Sequence, residues 1–271
     1  MENSSPSAIS PNYPTLWKSD SFRWGPFLAV VGVVAFLFLI VLSIIIVAYM
    51  FSRCTPFDPV FASCAQQALT GKSGITFELI AQGAVEVVAV IVLLLMLPWV
   101  SKLPLRDLGF RAISGREVGI ALLGAVAMVI FVNGLGTLMQ AATKTHEQQL
   151  ALKILEQLNT PSGRVLAFLT AAVVAPVFEE LSFRVFIFNF VLRRSTFWTA
   201  AIVSAILFGL AHITAALSVG QLTTIIPLMV GGLILARVYY TTRNAYASML
   251  THAVFNSVSL LGLFFAPNLV K

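Results

Sequence analysis

The chain has 271 residues, of which 58% are hydrophobic and 10% charged, with a net charge of +6; soluble domains run at roughly 45–50% apolar and about 25% charged. This composition excludes a soluble globular domain, and in a membrane protein the positive balance reports orientation and contact with anionic headgroups, with no nucleic acid implied. Uncharged runs near twenty residues read as spanning helices, so the chain is expected to be an all-α, polytopic membrane helix bundle.

Residues 1–26 are a polar tail with Pro6, Pro11 and Pro14, and no Ala-x-Ala-like cleavage site follows the apolar run after it. That run is too long for a signal-peptide core and is expected to stay as an anchor. Seven spans are expected, near residues 27–51, 77–100, 117–141, 164–191, 198–217, 221–240 and 245–265. Residues 27–116 then hold the N-terminal transmembrane helices and an inner loop, and 117–271 the helical membrane core. The fifth and sixth spans, read as joined across Ser218–Gly220, must form a tight antiparallel pair or include a re-entrant piece.

With the N-terminus in the cytoplasm, ten Lys and Arg side chains lie on or near the inner side and six on the outer. This bias favours a multi-pass protein of the cell membrane with its C-terminus outside. Cys54 and Cys64 then share the first outer loop, where an oxidising compartment can join them; two separate thiols are the alternative. "PLRDLGFR" at 104–111 mixes Leu105, Leu108 and Phe110 with charges, as expected of a short segment at the inner interface. "THEQQLALKILEQLNT" at 145–160 opens on a Thr145-x-x-Gln148 capping pattern and sets Leu150, Ile154 and Leu158 at helical spacing. It is expected to be an amphipathic helix on the outer surface, with His146 solvated at its start.

Ionisable groups at bilayer depth cost roughly 2.5–3.5 kcal/mol on insertion scales and usually face a cavity and each other. Four such clusters stand here: Glu179/Glu180/Arg184, His212, His252/Asn256, and an isolated Glu86. Glu180 and Arg184 are four apart and share a helix face, so they suit a structural ion pair. Glu179 is rotated by about 100° from Glu180 and is the carboxylate left free for chemistry. Pro176 has no N–H for the carbonyl of Ala172, so the helix should kink or open one turn before Glu179. His252 and Asn256, also four apart, make a plausible donor pair for a developing oxyanion. At 1.5 Å per residue, Glu179, His212 and Asn256 lie about 18, 21 and 16 Å from the inner ends of their spans, and His252 about 10 Å. A shared site is therefore geometrically possible. Either histidine is explained separately by an interhelical hydrogen bond, and Glu86 by a packed, protonated acid or a substrate contact.

"EELSFR" at 179–184, "FGLAH" at 208–212 and "HAVFN" at 252–256 match in order and spacing the EExxxR, FxxxH and HxxxN motifs of the CPBP family, the CAAX proteases and bacteriocin-processing enzymes also called Abi proteins. The chain resembles the type II CAAX prenyl endopeptidases, including the lysostaphin-resistance-protein-like branch, over about residues 163–262; "LRDLGFR" at 105–111 resembles a stretch often found upstream. One departure is Val185, where Gly commonly follows the motif's Arg. The resemblance implies an intramembrane endopeptidase in which Glu179 and His212 activate a water while His252 and Asn256 stabilise the oxyanion. Glu180 and Arg184 support the site.

The substrate implied is a peptide or protein reached from the lipid bilayer. No cofactor is expected to be required. In a zinc-dependent version Glu179, His212 and His252 would be the ligands with water in an open position. Against it stand the lack of HExxH and of any acid that the sequence pairs with either histidine. An ion-coupled transporter using the same groups as a relay would be expected to show internal repeats, and none is visible. A non-catalytic immunity protein would not need Glu179, His212, His252 and Asn256 intact.

Overall fold

The computed structural model describes residues 40–56, 58–101, 103–145, 160–213 and 218–265. Every regular element among them is helical: α1 (Ile40–Arg53), α2 (Phe61–Thr70), α3 (Lys72–Ser101), α4 (Gly115–Thr143), α5 (Pro161–Leu192), α6 (Phe197–Leu210), α7 (Val219–Thr242) and α8 (Ala245–Phe265). Five of these, α3, α4, α5, α7 and α8, are long and apolar enough to cross a membrane, and α1 and α6 are shorter apolar helices. The first part of the expected first span lies outside the described residues, as do His146, Gln148, Leu150, Ile154 and Leu158 of the expected amphipathic helix.

Polar residues set the helix ends. Ser114 and Glu117 form a reciprocal capping box at the start of α4, and Thr160, Thr196 and Ser218 cap α5, α6 and α7 through their hydroxyls. Each satisfies an amide that the first turn leaves without an intrahelical partner. At the other ends of α4 and α7, Lys144 (φ 54°) and Arg243 (φ 51°) take the left-handed turn that stops a helix.

The helices traverse up and down. Gly124 on α4 meets Val238 of α7 and Thr251 of α8, while Gly136, three turns on, faces Pro227 and Thr223 of α7. On the antiparallel α6–α7 pair, Gly232 sits against Ala205 and Gly209 against Ile225 and Met229. Small residues at these crossings let backbones approach, the usual basis of helix association in lipid.

The α6–α7 connection corrects the expectation from hydropathy. The fifth span was expected over 198–217, but α6 ends at Leu210 after 14 residues, and α7 begins at Val219. The join is therefore longer than Ser218–Gly220. The amide of His212 bonds the carbonyl of Gly209 at 3.1 Å, an i to i+3 bond that tightens and closes the last turn. Apolar residues continue past that point, so hydropathy alone runs on through the helix end.

The largest apolar cluster, including Leu97, Leu108, Val185, Phe188 and Tyr239, fills the end of the bundle where α3 and α5 finish and α6 and α8 begin. The segment 104–111 seals it. Leu105–Leu108 form a 3-10 turn, and Gly109 follows at φ 101°. A Cβ there would lie 2.8 Å from the amide nitrogen of Ala245, which donates to the Gly109 carbonyl at 2.9 Å. Arg111 pairs with Glu117 and donates to the carbonyl of Thr242 at 2.8 Å. Buried Leu108 and outward Arg106 and Asp107 agree with an interfacial segment, here latched onto the α7–α8 turn.

At the opposite end, Cys54 after α1 and Cys64 in α2 are joined as a disulfide, with Cα atoms 5.9 Å apart. A single residue, Gly71, separates α2 from α3.

Candidate active site

α5 is continuous from Pro161 to Leu192, but its backbone is not uniform. Leu169–Val174 and Leu181–Phe188 are wound as π-helix, with the α-helical stretch Ala175–Glu180 between them. The opening expected at Pro176 thus takes the form of widened turns on both sides, with no break. Such π segments are frequent at functional sites, and the carbonyl of Ala171, in the first of them, accepts a hydrogen bond from Asn256 Nδ2 at 2.7 Å.

The second wide turn follows Glu179 and Glu180. Glu180 Oε1 lies 3.1 Å from Arg184 Nη1, and both side chains are completely buried. Arg184 also donates through Nη2 to the carbonyl of Gly232 on α7 at 3.2 Å and stacks its guanidinium over Phe208 at 4.5 Å. The ion pair read from i,i+4 spacing is therefore present, and it ties α5 to α6 and α7.

Glu180 has a second partner that the sequence did not reveal. Its Oε1 is 3.0 Å from His252 Nδ1. The expectation that no acid pairs with either histidine is overturned, because α8 packs on α5 and brings together residues 72 positions apart. With Nδ1–H donated to a carboxylate, the tautomer is set and Nε2 is the nitrogen left to the cavity. That Nε2 stands 3.8 Å from Glu179 Oε2. Glu179 Oε2 is buried and has no hydrogen-bond partner among the described residues. Burying such an acceptor without a partner is costly, so the geometry is suited to a donor that the protein does not itself provide.

His212 occupies the turn after α6. Its Nδ1 lies 2.7 Å from the carbonyl of Phe208, and since a carbonyl only accepts, Nδ1 carries the hydrogen and Nε2 keeps its lone pair. The Phe208 ring packs against both imidazoles, at 4.9 Å from His212 and 5.7 Å from His252.

Glu179, His212, His252 and Asn256 all line one cavity of about 270 Å³. So do Glu78 and Gln82 of α3 and Asn133 of α4, which sequence reasoning missed. A signal was available: Glu78, Gln82 and Glu86 recur at four-residue spacing on one face of α3. Glu86 is accordingly not isolated. Gln82 Nε2 donates to its Oε1 at 2.9 Å, and it lies within electrostatic reach of Glu179.

Among the described residues, no three of His, Cys, Asp and Glu gather closely enough to hold an ion as they stand; Glu179 and His252 approach each other at 3.8 Å, and His212 lines the same cavity.

Residues 161–258 match the family model described as type II CAAX prenyl endopeptidase Rce1-like. No curated protein and no solved structure matches the chain. The matched stretch runs from the start of α5 into α8 and contains the whole Glu179, His212, His252 and Asn256 cluster; the chain has the helices of a multi-pass membrane protein and carries, over residues 161–258, a domain similar to the type II CAAX prenyl endopeptidases.

Proposed function

We propose that the chain hydrolyses a peptide bond in a membrane-associated or lipidated peptide or protein, with Glu179 as general base. The observation that carries this reading is the buried, unpartnered Oε2 of Glu179 in a cavity shared with two imidazoles. A water there can give one hydrogen to Glu179 and the other to the lone pair of His212 Nε2. Attack on the scissile carbonyl transfers the first proton to Glu179 and moves the carbonyl π electrons onto oxygen. His252 Nε2, when it bears a proton, and the Asn256 hydrogen not engaged with Ala171 are the donors for that oxyanion. Collapse of the tetrahedral intermediate breaks the C–N bond, and Glu179 returns its proton to the departing amine.

Glu180 acts through His252, holding its ring by Nδ1. In this reading no metal is required. Glu179→Gln is expected to abolish cleavage of a peptide substrate, a loss of about 10²-fold or more, with the protein still inserted and thermally stable. Full activity in that variant overturns the assignment. Exhaustive chelation should leave the wild-type rate unchanged; complete loss restored by zinc would assign the water to a metal.

A further inference from the structure

We propose that this site is open to water and substrate from the face that carries the Cys54–Cys64 disulfide, and that its substrates are segments exposed on the extracytoplasmic side of the membrane. The inference rests on the protease reading and adds the side of access to it.

The cavity is not centred in the bundle. Glu78 and Ser259 line it at about 9 Å along their helices from Lys72 and Phe265, the ends nearest the disulfide. Its deep end is Glu179, Phe208, Leu228 and His252, and Glu179 is about 20 Å along α5 from Leu192. Polar side chains continue from depth to mouth: Gln82 and Glu78 on α3, Asn133 on α4, and Asn256 and Ser259 on α8.

The other direction is closed. Between Glu179 and the far end lies the main apolar cluster, with Leu181, Val185, Phe188 and Leu97 each at most 2% exposed. Below it, Tyr239 Oη donates to the carbonyl of Leu108 at 2.9 Å and accepts from Asn189 Nδ2 at 2.6 Å. Asn244 Nδ2 donates to the carbonyl of Arg111 at 3.2 Å. The polar side chains in this region, Arg184, Asn189, Ser204 and Tyr239, are fully buried, bonded to one another, to Glu180 or to backbone carbonyls, and outside the cavity lining, so a peptide or the hydrolytic water arriving from that end would have to displace the core.

Two observations identify the open face. A disulfide persists in an oxidising compartment and is rare in the cytosol, and Cys54 and Cys64 lie at the Lys72 end of α3, the same end as Glu78. Independently, the closed end carries the larger share of basic residues, among them Arg106, Arg111, Arg116, Arg193, Arg194 and Arg243, as cytoplasmic loops do. The disulfide end is thus extracytoplasmic, and the cavity opens there.

The test uses the full-length protein in sealed membrane vesicles of known orientation, with a charged, membrane-impermeant methanethiosulfonate as probe. Ser259→Cys puts a thiol in the cavity mouth away from the catalytic groups, and Arg106→Cys puts one on the closed end. The Ser259→Cys thiol should react in right-side-out vesicles and be spared in inverted ones, with at least a tenfold difference in rate, and the Arg106→Cys thiol should show the opposite pattern. Reaction of the Ser259→Cys thiol only in inverted vesicles, equally in both, or only after detergent overturns the proposal. As a second arm, membrane peptides that accumulate in cells expressing Glu179→Gln instead of wild type should carry their uncut sites on the extracytoplasmic side; cytoplasmic sites overturn it. If labelling is from outside while Glu179→Gln still cleaves, the catalytic reading fails and the access route stands. If labelling is from inside while Glu179→Gln is inactive, only the access route fails.

Discussion

Glu180 Oε1 sits between two cations or potential cations, Arg184 Nη1 at 3.1 Å and His252 Nδ1 at 3.0 Å, with no exposed surface on its side chain. Removing one member of such a buried group leaves the others uncompensated, which costs about 3–5 kcal/mol, whereas replacing a pair with neutral groups of similar volume is often tolerated. Arg184→Leu is therefore expected to lower the thermal midpoint in detergent sharply, and the double variant Glu180→Gln/Arg184→Met to recover most of that loss. Activity should not follow stability in the double variant. Its His252 has lost the carboxylate that orients it, and a misplacement of about 1 Å from a change away from the chemistry costs about 10²-fold. A double variant that is both stable and fully active would show that Glu180 has no part in positioning His252. The sequence displayed half of this arrangement. Glu180 and Arg184 are one helical turn apart, so their pairing follows from local geometry, and so does the shared face of His252 and Asn256. The bonds from His252 to Glu180 and from Asn256 to the Ala171 carbonyl join different helices, and no local period encodes which helix packs on which.

α5, α6 and α7 hold the site through features that hydropathy does not register. The spans themselves were legible because each is an apolar run of about the right length, and α3, α4, α5, α7 and α8 fall close to where such runs predict. The π turns of α5 and the early end of α6 were not, since both change backbone hydrogen bonding without changing composition. The α6–α7 contact is the one that sets His212 against the cavity, and it depends on Gly232. A Cβ at that position would come 2.9 Å from Ala205 Cα, whereas one at Gly119 on α4 meets nothing within 4 Å. Gly232→Ala must push α6 away from α7, because the neighbour is backbone and cannot rotate aside. We expect it to cost about 1–3 kcal/mol, the range of overpacked cores, and to lower the cleavage rate together with the thermal midpoint. Gly119→Ala is expected to be neutral or slightly stabilising in the same assays, since an exposed helical glycine costs about 0.5–1 kcal/mol relative to alanine. A Gly232→Ala protein as stable as its parent would mean that the two helices approach less closely than this packing implies.

The molecule divides its length between a sealed end and an open one, which gives stability and catalysis different addresses. The sealed end combines the main apolar cluster with a hydrogen-bonded knot in which Tyr239 Oη bridges Asn189 on α5 and the Leu108 carbonyl of the 104–111 segment. The sequence marked 104–111 as interfacial from its mixture of Leu and charge, but the tyrosine that ties it down is 131 residues away. Tyr239→Phe keeps the ring, which packs edge-on to Phe188 at 6.0 Å, and deletes only the hydroxyl. The Leu108 carbonyl then loses this donor and the Asn189 amide this acceptor in a fully buried setting, for which a cost of about 1–3 kcal/mol is ordinary. The thermal midpoint should fall accordingly. Cleavage below the midpoint should be unchanged, because Tyr239 does not line the cavity that holds Glu179 and His252. Measured side by side, a lower midpoint with an unaltered rate is the signature of two separable ends. A rate that falls in proportion to stability would instead mean that the knot at the closed end transmits strain through α5 to Glu179, and the π turns between them would then be the place to look for it.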